Sequence, residues 1–251
     1  MRLISRLATA VALLVGIVAL SAVAQPPRGG MGMMGGGGPI GLLSSKTVKE
    51  EIKLTEEQET KVKAWAKEYA VKMGEEMKEK FSSIPKEEMR EKLPAMMAEM
   101  QKNVYKELST VLKEEQVKRL KQIDVQVMGL RAFSNPEVVA ALKITDEQKD
   151  KLKDATENMM KESRELRDEY GIKGFAQRPM DESKAKEFDK KMSGITKETM
   201  EKIMGMMTDA QKTSWKEMTG ATVDVAKIQT EARAGGMGAF QGKGKKPKVD
   251  D

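Results

Sequence analysis

The chain has 251 residues, of which 39% are hydrophobic, 33% charged and 4% aromatic, and its formal net charge is +6. It holds neither cysteine nor histidine, which excludes disulfides, thiolate nucleophiles, zinc–thiolate sites and imidazole bases or ligands. So much charge with so few aromatics suits long, solvent-exposed helices with narrow apolar stripes rather than a broad globular core.

The N-terminus comes first. Arg2 and Arg6 flank the start of an uncharged apolar run, Leu7 to Leu20, and Ser21-Ala22-Val23-Ala24 follows with small residues. This pattern predicts a secretory signal peptide over residues 1–24, cut after Ala24, and a periplasmic or secreted location. The run is shorter than the roughly 20 residues of a spanning helix, which favours cleavage over a retained anchor. Residues 25–44 are rich in Gly, Pro and Met and are expected to form a flexible leader. Lys243, Lys245, Lys246 and Lys248 lie in a Gly-rich tail, 226–251, expected to be disordered. With the signal peptide and this basic tail set aside, the body is near neutral, Lys and Glu interleaved, and offers no basic face for nucleic acid.

The body between them reads as helices. Thr55 opens the first, whose apolar stripe is Val62, Ala66, Tyr69, Met73 and Met77. Ser82-Ser83-Ile84-Pro85 separates it from a second stripe, Met89 to Val111, interrupted by Pro94. Val117 to Phe133 is expected to be one connecting helix, ended by Ser134-Asn135-Pro136. Thr145 opens the next helix, with Leu152, Ala155, Met159, Leu166 and Tyr170 on one face. Gly171 to Pro179 breaks the chain before a fourth stripe, Phe188, Met192, Ile195, Met200, Ile203 and Met207.

Internal repetition organises these helices. Leu54-Thr55-Glu56-Glu57-Gln58 returns as Ile144-Thr145-Asp146-Glu147-Gln148, at an offset of 90. Leu112-Lys113-Glu114-Glu115-Gln116 returns as Met207-Thr208-Asp209-Ala210-Gln211, at an offset of 95. Thr followed three residues later by Gln is a capping box, so Thr55, Thr145 and Thr208 mark helix starts. Lys113 has no cap hydroxyl, so a helix there either runs through or starts less sharply. Two units follow, 45–133 with its connecting helix and 134–225, each written as helix, turn, helix, short helix. The duplication predicts that they pack together as an internal pseudo-dimer.

Chemistry is sparse. No phosphate-cradling glycine loop or calcium loop is present, and the carboxylates sit among lysines on exposed faces. No enzymatic activity and no cofactor are expected. Methionine is the unusual component, with 21 in the chain. Its flexible thioether either fills cores or adapts to irregular partners. Met73, Met77, Met96, Met97, Met100, Met159 and Met192 are the candidates for a client-binding surface. Met31, Met33 and Met34 in the leader are weak candidates for Cu(I).

The four motifs resemble the LTXXQ pattern of the Spy/CpxP family of bacterial periplasmic proteins. Leu54, Thr55 and Gln58, and Ile144, Thr145 and Gln148, match its first motif. Met207, Thr208 and Gln211 match the second, and Leu112 and Gln116 match it in part. The resemblance implies an all-α fold of elongated antiparallel helical hairpins, here two tandem units where family members usually carry one. It also implies an ATP-independent chaperone or envelope-stress role, with unfolded or partly folded polypeptides as partners. A Met-based, metal-responsive envelope protein and a structural envelope component are the competing readings.

Overall fold

In the computed structural model of the protein, residues 38–172 and 181–240 are described, and among them there is no strand. The helices, in chain order, are α1 (Gly38–Leu42), α2 (Lys46–Glu51), α3 (Glu56–Ser83), α4 (Lys86–Leu108) and α5 (Glu114–Met128). A 3-10 turn (Gly129–Ser134) follows, then α6 (Pro136–Ala141), α7 (Asp146–Glu169), α8 (Glu182–Gly205), α9 (Asp209–Thr219) and α10 (Val225–Phe240). The expectations for residues 1–24, for the leader up to residue 37 and for the tail from 241 lie outside the described residues.

α3, α7 and α9 start where the threonine caps predict. The Thr55, Thr145 and Thr208 side chains accept from the N–H of Gln58, Gln148 and Gln211, each at 3.2 Å. The glutamine carbonyls in turn accept from the three threonine N–H groups. Lys113 does not let the helix run through. Its backbone is extended (φ −71, ψ 159), as at Thr55 (φ −78, ψ 158), and α5 starts directly after it. Its N–H still donates to Gln116 Oε1 at 2.9 Å. Only the hydroxyl is missing, so Lys113→Thr is expected to raise stability by about 1 kcal/mol in urea unfolding.

The approach to the first motif is also duplicated. α2 and α6 each run six residues and end in a left-handed residue, Lys53 and Lys143, both at φ 51. Leu54 N–H then reaches back to Lys49 O at 2.9 Å, and Ile144 N–H to Val139 O at 3.1 Å, closing a Schellman-type turn. The left-handed residue turns the chain so that its last carbonyls face the second motif.

α3 and α4 run antiparallel. Ile84 and Pro85 join their far ends, while Gln58 donates to Val111 O and Trp65 Nε1 to Glu107 at 2.6 Å at the near end. At 1.5 Å per residue, the 28 residues of α3 reach about 42 Å. α7 and α8 form the second arm, with backbones close together and the small residues Ser163 and Thr199 buried.

Three expectations are corrected. The connecting helix is not continuous, because Gly129 takes φ 55 and the chain proceeds as a 3-10 turn. The fold begins before residue 45, since Leu42 and Leu43 are buried. The segment from 226 is not all disordered, because α10 packs on α1, α2 and α5. Its Val225, Ile228 and Ala232 fall at helical spacing, and Ile228 has no exposed surface. Glu231 fixes that docking. Its carboxylate accepts from Ser45 Oγ at 2.6 Å and Thr47 N–H at 2.8 Å, which holds it below the usual carboxylate range.

α5 lies at the centre. Leu120, Ile123 and Val127 enter the core of the first unit, together with Leu42, Val48, Leu108 and Ile228. Val125 turns to the core of the second, with Leu142, Leu152 and Ile203. Arg119, Gln122 and Gln126 form a polar row that grips the loop after α9. Gln122 donates to Glu217 O, Gln126 to Thr219 O and Ala221 O, and Arg119 to Ala221 O. Gly220 (φ 63) lets that loop come close, since a Cβ there would run into the Gln122 amide. The two units thus pack through α5 and α9, with Phe133 stacked on Trp215 at 4.6 Å.

Candidate functional site

The motif residues have a structural task. In each unit the two motif glutamines meet as a reciprocal amide pair. Gln58 Nε2 donates to Gln116 Oε1 at 2.8 Å, and Gln116 Nε2 to Gln58 Oε1 at 3.0 Å. Gln116 also donates to Ile52 O and Lys53 O, and Gln58 to Val111 O. In the second unit Gln148 and Gln211 donate to each other at 2.8 Å, and also to Met206 O and Lys143 O. Each glutamine therefore completes its own helix cap and ties that helix start to the other one. The apolar motif positions seal the clasp: Leu112, Ile144 and Met207 are buried and Leu54 packs against the first core. These residues hold the base of each arm and leave its length free.

The candidate methionines divide. Met73 and Met192 are each only 6% exposed, which removes them from a binding surface. Met73 sits in the first core, and Met192 packs with Leu166, Ile172 and Phe188. Both lie on the inward face of their helices, where a thioether fills space between helices. Met100 is half-buried against the first core, and Met96, Met97 and Met159 are half-buried too. The Met77 side chain lies outside the described residues, as do Met31, Met33 and Met34.

The two arms differ in a way their shared pattern conceals. The α7/α8 arm carries its own apolar cluster near its tip: Leu166, Ile172, Phe188 and Met192, flanked by Tyr170 and Ile195. In the α3/α4 arm, no described residue from Gly74 to Asn103 is buried. Ile84, Leu93, Met96 and Met97 are half-buried there, and Val71, midway along α3, is 67% exposed. Neither Val71 nor the exposed Met160 fell among the sequence candidates, since Val71 lies off the stripe between Tyr69 and Met73. One turn before Met73, the last buried residue of α3 among those described, the Tyr69 hydroxyl is buried without a hydrogen-bond partner. Burial, then Glu107 and Glu76, push it up to about 12.

Other surfaces offer little chemistry. Two open depressions are lined by Lys46, Lys49, Lys53, Leu54 and Glu59, and by Glu162, Glu165, Glu169, Lys191 and Glu198. Lys49 in the first is bonded to Glu59, and Lys191 in the second to Glu169. Among the described residues no three acidic side chains are grouped to hold a metal ion, and no helix is long and apolar enough to cross a membrane. No protein-family model, curated protein or solved structure matches the chain.

Proposed function

We propose that this protein is an exported, nucleotide-independent binding protein of the Spy/CpxP chaperone type, which holds unfolded or partly folded polypeptides along the α3/α4 arm. The observation that supports this reading most is the stretch from Gly74 to Asn103. Among the described residues of that stretch none is buried, and Ile84, Leu93, Met96 and Met97 are set there as partly buried apolar side chains on a scaffold clasped at its base. Flexible thioethers suit partners of irregular shape. The lysines and glutamates interleaved around them suit clients of either charge and keep the free arm soluble.

The test is light scattering by several chemically unfolded clients at equimolar ratio. The wild type is expected to delay aggregation of most of them without nucleotide. Val71→Gln, Met96→Gln and Met97→Gln together keep good helix formers on the arm. The triple variant is expected to bind clients about tenfold more weakly, ~1.4 kcal/mol, at unchanged helix content. Failure of the wild type to protect any client would overturn the reading, and equal protection by the triple variant would move the surface off this arm.

A further inference from the structure

Asp124, on α5, is a carboxylate in the wrong place for a solvated face. It is 2% exposed, one residue after Ile123 and three before Val127, both of which enter the core. Its Oδ2 accepts from Tyr105 Oη and from Gln101 Nε2, each at 2.6 Å. Gln101 Oε1 accepts in turn from Asn135 Nδ2 at 3.0 Å, and Asn135 Oδ1 caps α6 by accepting from Glu137 N–H at 2.8 Å. One buried carboxylate thus ties α4, the helix that carries the free arm back to the core, to α5 and to the cap that opens the second unit. We propose that gain and loss of a proton on Asp124 tighten and loosen this junction, so that the protein couples the seating of the α4 arm helix to mildly acidic pH.

The surroundings determine the sign. The groups that bear on Asp124 are Tyr105 and Gln101 of α4 and Arg131 of the 3-10 turn. Glu137 of α6 acts on the same pair through Tyr105, and Lys121 of α5 lies over the Tyr105 ring at 5.1 Å. Glu51 of α2 is committed to Arg119, α1 holds no titratable side chain, Lys212 of α9 is paired with Asp209, and Glu231 of α10 is committed to Ser45, Thr47 and Lys227. Burial outweighs the two donors and Arg131 and raises the carboxyl from the usual 3.8 to about 6. A carboxyl raised on folding adds stability that is full below 3.8 and lost as pH rises through about 6. Above that value a bare charge is held in the core, and moving α4 off α5 lets water reach it.

Amide hydrogen exchange on the full chain, corrected for intrinsic rates, tests this in peptides covering 98–108 and 118–137. With endpoints of 3.8 and about 6, opening is expected to be about tenfold more frequent at pH 7.5 than at pH 5.0. Asp124→Asn keeps an acceptor and is expected to remove that difference. The side-chain carboxyl carbon resonance of Asp124 in the wild type is expected to titrate near pH 6, and to move upward in Tyr105→Phe. An Asp124→Asn protein that keeps the wild-type pH dependence would overturn the proposal. Should that variant not fold, the wild-type resonance decides: titration below pH 4.5 overturns the proposal, and titration near 6 upholds it.

Discussion

Gln116→Ala is expected to lower the unfolding free energy by about 3 kcal/mol, against about 1 kcal/mol for Thr55→Ala. The side chain is 6% exposed. Its loss strips a partner from Ile52 O, Lys53 O and Lys113 N–H, and leaves Gln58 half-paired. Groups that fold into the interior and then lack a partner carry their full desolvation cost. Urea unfolding measures the difference. A cycle with Gln58→Ala is expected to show coupling of about 1–2 kcal/mol, because the pair is one unit. If Gln116→Ala cost no more than Thr55→Ala, the glutamine would be a cap and nothing else.

Ile228→Ala is expected to cost about 2–4 kcal/mol, as for a large aliphatic side chain removed from a closed core. Ile228 has no exposed surface and packs in the same cluster as Leu42, Val48 and Leu120. A chain ending at Asp224 is expected to lose more, since Val225, Ala232 and the Glu231 bonds to Ser45 and Thr47 go with it. The urea midpoint and exchange protection of α1 and α2 report both. A loss under about 0.5 kcal/mol in both variants would mean that α10 is a bystander.

Much of the helical order is legible in the sequence, because caps and apolar stripes are local. Thr55 and Gln58 lie three residues apart, and the stripe from Val62 to Met73 needs only one helix to explain it. The glutamine clasp is not local. Within one motif the cap accounts for Gln58 fully, and nothing there names Gln116 as its partner across 58 positions. The trace that pointed to it was Gln116 itself, kept beside Lys113 where the cap hydroxyl had gone. Asp124 left a similar trace, a charge set between Ile123 and Val127 on an apolar face. α10 was lost to composition, since the glycines at 235, 236 and 238 mask the three-to-four spacing of Val225, Ile228 and Ala232. Met73 and Met192 showed the reverse limit: periodicity marks an inward face without saying whether a partner helix covers it.

The docking of α10 also sets an order of events. Ser45 and Glu231 are 186 positions apart, yet their bond closes the first unit, not the second. A chain made from its N-terminus has α1 to α5 in hand long before α10 exists, and their core stays open along one side until then. The second unit draws its own arm cluster from α7 and α8, which are neighbours in sequence and close quickly. The half of the protein made first is thus the half finished last, and its completion waits on a long loop closure. A chain that has emerged only as far as residue 224 would hold out a first unit whose apolar side is still uncovered.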